Sequence, residues 1–253
     1  MTHYFKQECL KVFVADNRDL LGAQAADMIA SCIRTLLANQ DIVNMIFAAA
    51  PSQNEMLASL IDADDIDWSR VNAFHMDEYI GLPADAPQAF SMFLKQRLFD
   101  KLPFHSVNYL NGSAGDPAQE CKRYTALLNA NLPDIVCMGI GENTHIAFND
   151  PHVADLNDSQ LVKIVTLDEV CRQQQVNDGC FNSLNDVPQK ALTLTVPALM
   201  QAHYIYCVVP GSTKASAVKL TLHQPVSNRY PSTALKNHHA AVLFVDKESA
   251  ALL

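Results

Sequence analysis

Apolar residues along the chain fall into short unbroken runs and longer stripes that return every three or four positions. Their order predicts strand, helix, strand, helix from one end to the other. Lys11-Val12-Phe13-Val14-Ala15 reads as a strand closed by Asp16-Asn17, a pair suited to capping a helix. The stripe Leu21, Ala25, Met28, Ile29, Ile33, Leu36 and Leu37 then predicts a helix to about residue 39. Residues 44–50 form a second apolar run, and beyond the turn Pro51-Ser52-Gln53-Asn54 a helix turns Met56, Leu57, Leu60 and Ile61 inward. Val71-Asn72-Ala73-Phe74-His75 predicts a third strand. Residues 87–98 predict a helix with Phe90, Phe93, Leu94 and Leu98 in phase, and Val107-Asn108-Tyr109-Leu110 a further strand. Asp116-Pro117 opens a helix to about residue 129, with proline at its first position. Ile135-Val136-Cys137-Met138 is wholly apolar, as in a buried strand. The second half is more irregular, with strands expected at 161–166, 191–196, 203–209 and 240–245 and a helix over about 213–222. No linker or repeat interrupts the order. It predicts a single α/β domain over residues 1–253, with a mainly parallel central sheet and helices on both faces.

Composition excludes several classes of function. With 253 residues, 49% hydrophobic and 18% charged, the chain can bury a substantial core. No apolar run approaches the length needed to span a bilayer, so no membrane partner is expected. The start, Met1-Thr2-His3-Tyr4-Phe5-Lys6-Gln7-Glu8, lacks the basic segment and apolar core of a secretory signal. Seven cysteines without a CxxC or Cys/His cluster argue against zinc and against a disulfide scaffold, and fit a reducing cytoplasm. A net charge of −9 argues against nucleic acid, yet a few local cations can still hold one small anion.

In a parallel sheet the loops after the strands gather on one edge. Four such loops carry chemistry: residues 49–54, 75–81, 139–150 and 210–214. The fullest is Gly139-Ile140-Gly141-Glu142-Asn143-Thr144-His145-Ile146-Ala147-Phe148-Asn149-Asp150, where a glycine turn leads into acids, an amide and an imidazole. It is either a tight turn with polar surface residues or a ligand loop in which His145 is the acid/base. Ser52, Gln53 and Asn54 offer hydroxyl and amide groups at a helix start, suited to an anion or to plain capping. Gly211, Ser212 and Lys214, with Thr213, read either as a phosphate cradle with its counter-charge or as a capped helix with a solvated lysine; the spacing is not that of a nucleotide-binding loop. Asp77 and Glu78 follow a buried strand, and one of them could serve as a general base.

Three stretches resemble the glucosamine-6-phosphate deaminases (isomerases), which share a Rossmann-like fold with the 6-phosphogluconolactonases. They are residues 74–83 (Phe-His-Met-Asp-Glu-Tyr-Ile-Gly-Leu-Pro), residues 139–151, and Gly211-Ser212-Thr213-Lys214-Ala215. Lactonases typically continue after the histidine with Ala-Ser-Leu-Phe-Pro; this chain has Ile-Ala-Phe-Asn-Asp-Pro, the deaminase-like form. The resemblance implies Asp77 as the base that moves a proton between C2 and C1, His145 as the ring-opening group and Lys214 at the phosphate; Glu78, the acid beside Asp77, is then a candidate to bind the substrate. It implies an aldose–ketose rearrangement with loss of ammonia from a small sugar phosphate, without metal or organic cofactor. A homo-oligomer is compatible with it. A lactonase-like hydrolase and a non-catalytic sugar-phosphate-binding regulator are the alternatives.

The chain departs from the family pattern in four places. Pro51-Ser52-Gln53-Asn54-Glu55 replaces a Thr-Gly-Gly-Thr-Pro loop, so side chains must do more of the anion binding. Asn143 replaces an aspartate beside His145, and Asp150 a glutamate one methylene longer. Losing a carboxylate ~4 Å from the imidazole removes up to ~4 kcal/mol of attraction, which Asp150 or Glu142 could restore. Arg172 is the cation nearest to the place of the family's phosphate-binding arginine.

Overall fold

The computed structural model describes residues 3–83 and 85–253; Met1, Thr2 and Ala84 lie outside the described residues. β1 (His3–Gln7) and β2 (Leu10–Ala15) pair as a hairpin, and α1 (Arg18–Leu37) follows, capped by Asn17, whose side chain accepts from the Leu20 amide. Then come β3 (Val43–Phe47), α2 (Asn54–Ile61), β4 (Val71–His75), β5 (Asp77–Tyr79), α3 (Phe90–Leu94), β6 (Ser106–Asn108), α4 (Pro117–Ala130) and β7 (Ile135–Met138). The second half supplies β8 (Val162–Thr166), α5 (Glu169–Asn177), β9 (Lys190–Leu194), α6 (Val196–Met200), β10 (Tyr204–Val209), α7 (Ala215–His223) and β11 (Ala241–Asp246).

Eight strands form the central sheet in the order β1-β2-β11-β10-β7-β3-β4-β6, parallel throughout except for β1. Alternate residues serve opposite faces. Phe47, Cys137, Val208 and Phe244 pack in one core with α1, α2 and α3, while Ile46, Val136, Cys207 and Leu243 pack in another with α4, α6 and α7. Burial on both faces explains why these strands are unbroken apolar runs instead of alternating ones. The sheet with helices on both faces is the α/β architecture that the hydrophobic pattern predicts.

Other features correct the sequence reading. β5, β9 and β8 form a separate antiparallel sheet, so the chain leaves the central sheet after β4. α3 starts at Phe90 rather than at residue 87 and runs on as a π turn over Lys95–Phe99. α5 was not anticipated, because Glu-Val-Cys-Arg-Gln-Gln-Gln-Val-Asn carries no apolar stripe. α1 has the length and composition of a membrane span, contrary to expectation. Its Leu21, Ala25, Ile29 and Ile33 are at most 1% exposed against the sheet and α2, the situation of a core helix.

Connections leave β3 toward β4 and leave β7 toward β10, so the strand order reverses between β3 and β7. The loops beyond those two strands part there, and a crevice opens between them.

β5 also divides its two acids. Successive strand residues point to opposite sides, so Asp77 and Glu78 cannot serve one site. Glu78, expected at the substrate, instead accepts from the backbone amides of Tyr79 (2.9 Å), Phe90 (3.0 Å) and Ser91 (2.8 Å), and so caps α3 from another element. Glu78→Ala would orphan three amides, and we expect it to lower stability by about 3 kcal/mol in reversible urea denaturation. An unchanged midpoint would remove the capping role.

Candidate active site

A cleft of about 310 Å³ opens at the carboxyl ends of β3, β4, β7 and β10. His145 reaches it from the loop after β7. Its Nδ1 lies 2.7 Å from Asn143 Oδ1 and 3.1 Å from Asp150 Oδ1, so two oxygens share one ring nitrogen. Nε2 has no protein partner among the described residues and is the nitrogen left for a ligand. Asn143 in turn donates to Asp150 Oδ1 at 3.0 Å. Asp150 is fully buried; burial pushes its carboxyl up, but the bonds from His145 and Asn143 outweigh this and hold it below the usual carboxylate range. The carboxylate missing at position 143 is therefore supplied at the imidazole by Asp150. Glu142, the other anticipated partner, makes no bond to His145; its backbone amide donates to Gln174 Oε1.

The ring of His145 lies flat on Gly141. A Cβ built at Gly141 would fall inside contact distance of three ring atoms, so the second glycine of the turn makes room for the imidazole. Thr144 and Ala147 adopt positive φ (72° and 46°), a conformation that side chains disfavour. The loop is held by side-chain bonds to the small sheet: Phe148 N donates to Thr193 Oγ1 (3.0 Å), and Asn149 Nδ2 to Leu194 O (2.8 Å).

Asp77 enters the cleft from β5, opposite Thr193 in the ladder. It is 7% exposed, and burial, followed by the nearby Glu78, pushes its carboxyl well above the usual range. Just before it, His75 is wholly buried. Its Nε2 accepts from Leu110 N, so Nδ1 donates to Asp77 O, and this neutral ring pins the backbone that presents the acid.

Lys214, from the segment after β10, also lines the cleft; it is 6% exposed and makes no ion pair among the described residues. Burial pushes its ammonium down, against the pull of Asp178 and Glu142. Ser52, Ser212 and Thr213 line the cleft beside it. Gly211 (φ 93°) is fixed by Asp246, whose carboxylate accepts from its amide at 3.0 Å.

Three residues expected at the anion lie elsewhere. Arg172 spends its guanidinium on the carbonyls of Leu184 and Val187, clamping the chain after α5. Gln53 is wholly buried and donates to Val208 O and Ser52 Oγ; it and Asn54 are absent from the cleft wall. The residues of this region that do line the cleft are Gln174, Gln175 and Asp178. Arg18, missed in the sequence, lines it too and binds Glu55 through two bonds of 2.8 and 2.9 Å. It is the first residue of α1, directly after the loop that follows β2, and the rule about strand ends would have found it had that strand been counted with the others.

Ligand atoms of His145, Asp150 and Cys171, and of Asp150, His152 and Asp168, come within 4.8 Å of one another. Asp150 is committed to His145 and Asn143 in both groups, and burial pushes the Cys171 thiol well up, so neither is assigned to a metal.

A family model described as glucosamine-6-phosphate isomerases/6-phosphogluconolactonase matches residues 16–244. The chain belongs to this family. A glucosamine-6-phosphate deaminase of Bacillus cereus (strain B4264) is 36% identical over 187 residues, covering 74% of this chain and 70% of the relative. One of Bacillus anthracis (strain A0248) matches to the same extent. A solved monomeric glucosamine-6-phosphate deaminase superposes with a TM-score of 0.87 at 27% identity, covering 96% of this chain and 99% of that one. The 6-phosphogluconolactonase of Trypanosoma brucei shares the fold, with a TM-score of 0.80 at 18% identity over 99% of this chain and 100% of the other. This family member is thus an enzyme of the glucosamine-6-phosphate deaminase type.

In Gly141→Ala the imidazole must move. A crystal structure of the variant should find the ring displaced by roughly 1 Å, with turnover down about a hundredfold. A ring left in place at full activity would refute the contact.

Proposed function

We propose that the chain converts glucosamine 6-phosphate, or an epimer such as galactosamine 6-phosphate, and water to the ketose 6-phosphate and ammonia. The observation that carries this is a single cleft lined by a buried carboxyl, an oriented imidazole and a buried lysine that forms no ion pair among the described residues. Lys214, with the hydroxyls of Ser52, Ser212 and Thr213, takes the phosphate. Its dianion relieves the cost of the buried ammonium, and the held phosphate places C1 and C2 at the reacting groups. His145 Nε2 takes the proton of the anomeric hydroxyl and passes it to the ring oxygen as the pyranose opens to the aldehyde, and the Asp150 carboxylate steadies the imidazolium while the ring carries both protons.

Asp77 then takes the proton from C2 and returns it to C1. The electrons of the C2–H bond move through the C1–C2 enol, C2 becomes an imine, and water replaces its nitrogen, which leaves as ammonia. A carboxyl pushed up by burial is a stronger base than an exposed one, which suits the abstraction of a carbon-bound proton.

Incubation with either 6-phosphohexosamine and assay of ammonia tests the reading. Silence with both sugars, while either still binds, would sink deamination and leave a binding protein. Because Asp77 must be ionised to act, turnover should fall on the acid side with an apparent pKa above the ordinary carboxylate value. Asp77→Asn should cut turnover about a thousandfold while substrate still binds.

The same substitution should raise stability at neutral pH. The folded chain holds the Asp77 proton more tightly than the unfolded chain, so stability falls as pH rises through the raised folded value, and ionised Asp77 is a net cost above it. Relieving ~1 kcal/mol of that cost would raise the thermal midpoint by about 2–4 °C. A lowered midpoint would contradict the assigned burial penalty.

A further inference from the structure

We propose that Asp168 is a positioning residue for His145, acting through the carboxamide of Asn143; this rests on the reading of His145 as the proton-transfer group. Asn143 stands between one imidazole and two acids. Its oxygen accepts from the His145 backbone amide (3.1 Å) and from Nδ1 (2.7 Å). Its nitrogen lies 3.0 Å from Asp150 Oδ1 and 3.3 Å from Asp168 Oδ2. A carboxamide has two N–H donors and one oxygen, so each hydrogen finds its own acid and the oxygen is left to the ring.

These two bonds decide which way the amide faces. Turned over, its oxygen would meet two carboxylates and its NH₂ would meet the Nδ1 proton, a conflict at both ends. With Asp150 and the His145 backbone amide, Asp168 therefore keeps the oxygen toward His145, which together with Asp150 Oδ1 places the proton on Nδ1 and leaves Nε2 free for the cleft. A carboxylate at position 143 would instead bring three acids together with no hydrogen among them. The amide at 143 and the acid at 168 form a matched pair, with the charge set one group further from the ring.

Asp168 is well held for the task. It is the N-cap of α5, its Oδ1 accepts from Cys171 N at 2.6 Å, and the helix amides favour a negative charge there. The titratable groups around it are Asp150, whose Oδ2 is 3.5 Å from the Asp168 amide, His152, whose Nδ1 is 3.9 Å from Oδ2, and the neutral thiol of Cys171. His152 Nε2 lies 2.9 Å from Thr166 O, so in the neutral ring Nδ1 carries no proton toward Asp168.

The deciding variants are Asp168→Asn and Asp168→Ser. Both residues still cap a helix. Neither can serve the cap and Asn143 at once, because each offers one side-chain oxygen where two are used. Nitrogen NMR of the His145 ring reads the tautomer without substrate. We expect Nδ1–H in the wild type and a mixture of tautomers in both variants. With a 6-phosphohexosamine, kcat should fall about tenfold, the effect of one lost hydrogen bond that orients the proton-transfer group, with KM within about twofold. Asn143→Asp alone should also impair, whereas Asn143→Asp/Asp168→Asn, which moves the charge back to the ring, should recover to within about threefold of the wild type. A wild-type tautomer in both Asp168 variants, or additive losses in the double variant, would overturn the proposal. If the wild type releases no ammonia the deaminase reading fails, and the tautomer measurement still decides the role of Asp168.

Discussion

Two oxygens, one from Asn143 and one from Asp150, converge on a single nitrogen of His145, and much of the surrounding fold keeps them there. The loop that carries all three residues is not comfortable by itself. Thr144 and Ala147 sit in the left-handed region, at a cost on the order of 1–2 kcal/mol each. That cost is borne because the loop is tied down along its length, by Thr193 and Leu194 of the small sheet and by the Ser232 amide, which donates to Thr144 O. β9 and the segment of Ser232 hold the strained turn, so the imidazole does not have to find its orientation each time a ligand arrives.

The cleft is lined by groups of opposite charge, Asp77 and Lys214, and burial disfavours the charged form of each. Among the described residues no carboxylate pairs with Lys214, although Asp178 and Glu248 also face the cleft. A molecule with an anion at one end and an acidic C–H at the other meets both needs at once. This polarity is built by topology, since Asp77 follows β4 and Lys214 follows β10, the strands on either side of the β7 and β3 pair at which the strand order reverses.

The central sheet was legible because its strands are buried on both faces and read as apolar runs, such as Ile135-Val136-Cys137-Met138. The small sheet was not, because β5 is three residues long and its Asp-Glu-Tyr has no strand signature away from its partner β9. At the site, the glycine turn, His145, Asp77 and Lys214 could be named from local sequence, and the structure places all of them at one cleft. Residues whose role depends on direction could not. Glu78 and Asp77 differ only in the side of the strand they face, and Arg172 differs from its neighbours Gln174 and Gln175 only in the side of α5 it occupies. Asp168 carries no local signal at all, since its first evident use is as a helix cap.

The imidazole of His145 fills the space in which residue 141 would otherwise carry a side chain. The two positions are for that reason one heritable unit. A descendant that keeps the histidine must keep the glycine, since any other residue evicts the ring. A descendant that has lost the histidine is released from the constraint, and a side chain at 141 can then occupy the vacated volume. Once it has, restoring the histidine by a single change no longer works, because both positions must revert together. The contact acts as a ratchet: chemistry that depends on this ring is easily abandoned along a lineage and hard to regain.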